Sequence, residues 1–264
     1  MLFVLALWLP LGQEEFLIEH WMRVGTLCIP LVFGLMILLP RERMDFHRTG
    51  GAVLLITYLV HQFEEHWIDI LGETYAFYSY VNTLVSNAFF LPESAGPVLT
   101  PISIYFINTS LVWLVGLLAI VCSPRLPFTA YAMAAIALVN GIVHIVAALV
   151  SFSYNPGLLS SVVLFLPVPL FFYTRVLRDH PEQLRWIALS ILWAILAHAI
   201  MVGGLLAANV YTLFSEATYC LILIAWSMTP LAIGAWPARR SRSGTKEPGG
   251  SHGSTASTPP SDSV

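Results

Sequence analysis

The chain has 264 residues, of which 57% are hydrophobic and only 10% charged, with a mean hydropathy of +0.77. Soluble domains carry about 25% charged residues, so these few charges could not cover a water-facing surface, and a soluble globule is excluded. A net charge of −3 without a basic face excludes nucleic-acid binding. Cys28, Cys122 and Cys220 lie far apart, in or beside apolar runs, and read as buried hydrophobes rather than a disulfide framework or zinc knuckle. The composition predicts an all-α polytopic transmembrane helix bundle.

A bilayer core about 30 Å thick needs roughly 20 apolar helical residues to cross it. Seven stretches meet this: 24–39, 50–70, 102–121, 128–150, 158–177, 186–208 and 213–236. The opening run Met1–Leu11 is apolar but too short to span, and no Lys or Arg precedes Arg23 to make a signal peptide. Residues 1–23 are therefore expected as an outer interfacial segment and 24–237 as the membrane domain. The Ser-, Pro- and Gly-rich stretch 238–264 is expected as a disordered cytoplasmic tail.

Of 12 basic residues, 11 lie in alternate loops and the last segment: Arg41, Arg43, Arg48, Arg125, Arg175, Arg178, Arg185, Arg239, Arg240, Arg242 and Lys246. Only Arg23 lies on the other side. The positive-inside rule then places the N-terminus outside and the C-terminus in the cytoplasm, in a multi-pass protein of the cell membrane. The long outer connection 71–101 holds Tyr75, Phe77, Tyr78, Tyr80, Phe89 and Phe90, which suits an interfacial anchor or a lid over an outward-facing pocket.

Ionisable groups inside spans cost about 2.5–3.5 kcal/mol on insertion scales and mark functional sites by default. Span two carries HQFEEHWID, with His61, Glu64, Glu65, His66 and Asp69; Asn108 lies in span three, Asn140 and His144 in span four, His198 in span six and Glu216 in span seven. His61, Glu64 and Glu65 stand at i, i+3 and i+4 and share a helix face, Asp69 extends that of Glu65, and His66 points about 100° away. At about 1.5 Å per residue, His61 lies roughly 15 Å below the outer helix end, Glu65 about 9 Å, His144 and Asn108 near 10 Å, and His198 near 16 Å. The polar groups of several helices thus fall in one layer of the outer half.

With no Lys or Arg inside the spans, two adjacent carboxylates in low dielectric require protons, water, cationic His or a metal. His and carboxylate ligands suit Zn²⁺, and also Fe or Mn. His61, His144, His198 and Glu65 are expected to hold the metal, with Glu64 as general base toward water; the two glutamates are interchangeable in this assignment. Asn108, Asn140, Asp69 and Tyr154 are expected to support them. Hydrogen-bonding glue between helices is the plain alternative, above all for a lone His144 or His198.

At His61-x-x-Glu64-Glu65 the sequence resembles the HXXEE-domain family of bacterial membrane proteins, a likeness that continues through Asn108, Asn140-x-x-x-His144 and Tyr154-Asn155-Pro156-Gly157. The resemblance implies a site without implying a reaction. Glu64-Glu65, His144 and His198 also follow the order of glutamate-type intramembrane proteases of the CPBP group, but Asp69 stands where that group carries Arg. Three functions follow from these residues: a metal-dependent hydrolase acting on a membrane lipid or other lipophilic substrate, a proton- or cation-coupled transporter using the Glu/His cluster, or a non-catalytic assembly factor. The hydrolase accounts for the clustered site best, and polar groups are missing from the inner half that a transport path would need.

Overall fold

The computed structural model describes residues 14–92 and 95–243. The opening run of the expected interfacial segment and the tail beyond Ser243 lie outside the described residues. All regular structure among the described residues is helical: α1 Glu14–Leu38, α2 Phe46–His66, α3 Ala76–Ala88, α4 Pro101–Cys122, α5 Phe128–Ser151, α6 Leu158–Asp179, α7 Pro181–Val210 and α8 Glu216–Ser243. The first compact unit ends at Gly234, within α8. Six helices, α1 and α4 to α8, are long and apolar enough to cross a membrane. The helix α2, with 21 residues, is as long, but its polar residues keep it from that apolar class.

Two boundaries differ from those expected. The helix α1 begins at Glu14 and its apolar stretch at Phe16, well before residue 24, because Glu19, His20 and Arg23 interrupt the hydropathy without interrupting the helix. The helix α2 ends at His66, not residue 70. There the Asp69 carboxylate accepts from the backbone N–H groups of Leu71 and Glu73, both 2.9 Å, and Gly72 turns the chain at φ +83°. A short acid that captures backbone donors competes with the helix, and here it stops it. Asp69 therefore ties a turn and does not extend the Glu65 face. His61 lies only about 8 Å, five residues, below the helix end.

The helix α5 packs against α2, α4, α6 and α7, and α1 lies along α2. Its first half is small: Ala130, Ala132, Ala134, Ala135 and Ala137 are all fully buried. Without a hydrophobic drive between helices in lipid, small residues let backbones approach and gain dispersion contacts. The same holds where α2 meets α4, since a Cβ on Gly51 would come within 2.9 Å of the Ala119 backbone. Large apolar side chains such as Leu27, Phe33, Val163, Phe171 and Leu221 point outward, as a lipid-facing surface requires. Three helices widen into π turns, at Asn108–Leu114, Ser161–Phe165 and Leu206–Val210, a rare geometry that clusters at functional sites.

Candidate functional site

The last two turns of α2 present His61, Gln62, Glu64, Glu65 and His66, all buried. Glu65 is the hub. Its Oε2 lies 3.4 Å from His61 Nε2 and 2.9 Å from His66 Nε2, and its Oε1 lies 3.1 Å from His144 Nε2 on α5. The rings of His61 and His144 meet edge to face, 4.9 Å between centroids.

Both outer ring nitrogens are fixed from behind. His61 Nδ1 donates to Ser160 Oγ at 2.8 Å, and that hydroxyl gives its own proton to the Gly157 carbonyl at 3.2 Å. His144 Nδ1 donates to Asn155 Oδ1 at 2.7 Å, while Asn155 Nδ2 donates to the His144 carbonyl at 3.0 Å. With both protons held on Nδ1, each Nε2 turns a lone pair toward the Glu65 carboxylate. Asn140 Nδ2 stands 3.3 Å from His61 Nε2, at the edge of the same group. Acceptors facing one another in a buried site call for a cation between them, either a proton that makes an imidazolium–Glu65 ion pair or a metal ion.

The donor set fits a metal. His61, Glu65 and His144 each offer one ligand atom, and these lie within 4.8 Å of one another, the three residues being buried. Ligands about 2.1 Å from a tetrahedral ion stand about 3.4 Å apart, close to the separations around Glu65. A carboxylate or backbone partner behind each ligating imidazole is the usual outer support of such a centre, here replaced by Ser160 and Asn155.

His198 is not among these three. Its Nδ1 donates to the Ala194 carbonyl at 2.8 Å, and it lines a cavity of about 100 Å³ together with Glu65, His66 and Asn140. Glu64 turns toward α6: Oε1 accepts from Tyr154 Oη at 3.2 Å and from the Leu159 N–H at 3.0 Å, and Oε2 accepts from the Ser160 N–H at 2.7 Å. The free N–H groups and positive end of a helix suit a buried carboxylate. Burial and the charge of Glu64 push the Tyr154 hydroxyl above the ordinary tyrosine range, which keeps it a donor. Glu216, at the start of α8, accepts from the hydroxyls of Thr100 and Ser103, away from the histidines. Arg23 donates to Tyr75 Oη at 3.3 Å and stacks over Trp67, and so does not neutralise the glutamates.

Sequence reasoning places His66 on another face, yet it touches Glu65, because the flexible carboxylate stem swings toward its neighbour at the helix end. Asn108 holds that side. Its Nδ2 lies 3.3 Å from His66 Nε2, and its Oδ1 accepts from Gln62 Nε2 at 2.7 Å, with Gln62 Oε1 in turn accepting from Trp113 Nε1 at 2.9 Å. Gln62, Trp113 and Ser160 carry no signal in the sequence, since each is common in membrane helices. Asn155 was visible only as part of the Asn-Pro-Gly turn.

These features define a helical membrane protein built around a buried group of two histidines and one carboxylate. Residues 52–172 match the model of a family described as protein of unknown function with HXXEE motif. His61, Glu64 and Glu65 are its motif residues, and the matched stretch also contains Asn108, Asn140, His144 and Asn155. No curated protein and no solved structure matches the chain.

Proposed function

We propose that the protein is a multi-pass enzyme of the cell membrane, a metal-dependent hydrolase that acts on a lipid or other lipophilic substrate from the outer side. One observation carries this reading: two imidazole Nε2 atoms and one carboxylate converge within 4.8 Å, and the carboxylate also lines an internal cavity. Three protein ligands leave a coordination position free for substrate or water, as catalytic zinc centres do. When bound, a divalent ion there supplies Lewis acidity, polarising a carbonyl or phosphoryl oxygen and easing deprotonation of water.

The chain's own residues divide the remaining work. His61, Glu65 and His144 bind the ion, and Ser160 and Asn155 orient the two imidazoles. Glu64, with three hydrogen bonds to Tyr154 and the start of α6, anchors that helix; the base role expected for it passes to His198. With Nδ1–H committed to the Ala194 carbonyl, His198 Nε2 bears a lone pair at the cavity wall and can take a proton. His66, donating to Glu65, steadies the carboxylate from the other side.

Elemental analysis of the purified full chain, after incubation with Zn²⁺, Fe²⁺ or Mn²⁺ and desalting, tests the reading. Wild type should retain a single divalent ion, and His61→Ala and Glu65→Gln should lose it. Wild type that retains no metal overturns the hydrolase. If the same variants then abolish proton-linked solute uptake, the cluster serves a carrier instead.

A further inference from the structure

Two cavities adjoin beside the metal-binding group, and the inner one reaches its Glu65. The inner one is that of Glu65, His66, Asn140 and His198, which gather at its polar part, while Leu111, Val112, Met201, Val202 and Leu205 line the rest. The outer one, of about 410 Å³, lies between α1 and the start of α3. His66, Phe77 and Ile104 line both. The edge-to-face contact of Phe77 on His66, 4.7 Å between centroids, stands at that junction.

The outer cavity has a chemistry of its own. Trp21, Tyr75, Phe77 and Tyr78 contribute aromatic rings and Glu19 a carboxylate; among the described residues no Lys or Arg lines it, the guanidinium of Arg23 reaching the Tyr75 hydroxyl. His20 Nδ1, from another lining residue, is buried without a hydrogen-bond partner. Aromatic faces with an acid nearby attract an organic cation, a quaternary ammonium above all. The inner cavity, apolar over most of its wall, suits a hydrocarbon chain.

We infer that the two cavities form one site for an amphiphile drawn from the bilayer: an acyl chain in the inner cavity, joined by a hydrolysable bond to a cationic amine head in the outer one. The bond lies at the His66 junction, beside Glu65. The inference rests on the hydrolase reading for the bond and on the cavities for the rest. In the reaction, water adds its oxygen to the acyl carbon and the carbon–oxygen bond to the head breaks. One proton leaves the water and one returns to the departing alcohol, giving a fatty acid and the free head. Phe77 sits where the two parts join, so it sets how readily the chain passes inward.

The test uses the full chain in lipid nanodiscs and a dodecanoylcholine probe bearing a diazirine on its acyl chain. Photolysis and peptide mapping should place adducts on Leu111, Val112, Met201, Val202 or Leu205. Leu111→Trp, which fills the inner cavity, should lower adduct yield at least ten-fold with metal content unchanged; Val202→Phe serves if that variant fails to fold. Unlabelled dodecanoylcholine should compete at least ten-fold better than monododecanoylglycerol, and Phe77→Ala should speed labelling. Adducts confined to lipid-facing Leu27 or Val163, or undiminished in a folded filling variant, overturn the chain site. Equal competition by the neutral glyceride overturns the cationic head. Loss of metal with labelling intact defeats the hydrolase while leaving the amphiphile site standing. Metal retained with no inner labelling does the reverse.

Discussion

Gly157 lies against His61 so closely that a Cβ built on it would stand 2.7 Å from the ring's Cε1, and 3.0 Å from that of His144. Its φ of +93° also belongs to the region that side chains avoid. The turn between α5 and α6 is thus the floor on which both imidazoles rest. Gly157→Ala should cost about 1 kcal/mol or more in backbone strain and displace both rings. Metal affinity should fall about 10–100-fold, the range seen when ligand orientation is disturbed. A competitive chelator titration measures it, and unchanged affinity would separate the ring positions from metal binding.

Ser160 and Asn155 act only through the ring nitrogens they hold. Ser160→Ala and Asn155→Leu should each weaken metal binding by about ten-fold or more, without removing any ligand. Ser160→Thr keeps the hydroxyl and should restore most of the affinity. Equal affinities in all three variants would show that the tautomers need no outer partner.

The neighbouring glutamates should fail in different ways. Glu65→Gln removes an anionic ligand, so the rise in thermal midpoint that added metal gives wild type should vanish. Glu64→Gln should keep that metal-dependent rise but lower stability by about 1–3 kcal/mol, because an amide replaces a carboxylate that accepts two backbone N–H groups. Differential scanning fluorimetry with and without metal reads both. A Glu64→Gln protein with full stability, bound metal and no activity would return the base role to Glu64.

Topology gives an independent check. A reporter fused after Arg242 should read cytoplasmic, and one inserted between Ala88 and Thr100 should read external. That pattern requires α2 to cross with the six apolar helices. The reverse readings would mean that the arginine distribution does not set the orientation of this chain.

Periodicity was sufficient to bring His61 and Glu65 onto one face, and the shared layer brought His144 to them, but the same argument also drew in His198, which bonds to the Ala194 carbonyl and lies outside the group. Asp69 broke the pattern by ending the helix that the pattern assumed. His66 escaped it because side-chain reach, not backbone angle, decides contacts at a helix end. The division between Glu64 and Glu65 depends on where the first turn of α6 lies, and nothing local to span two encodes that. The span boundaries suffered similarly in α1, where single charges lower hydropathy without breaking the helix.

The three π turns carry a consequence for how such a chain can vary. Each wide turn accommodates its segment at five residues per hydrogen-bonded loop, where a regular helix uses four. Deleting one residue, for instance Thr109, would let the segment relax into ordinary helix, a gain in local regularity. The same deletion would leave both flanks facing as they do, because the wide turn takes up one residue more than an α turn for about the same rotation, and would change only which side chains the turn itself presents. Insertions and deletions at these turns are therefore tuning steps for the site: a relative one residue shorter there should keep its fold and its flanking faces and differ only in the side chains that the turn itself presents.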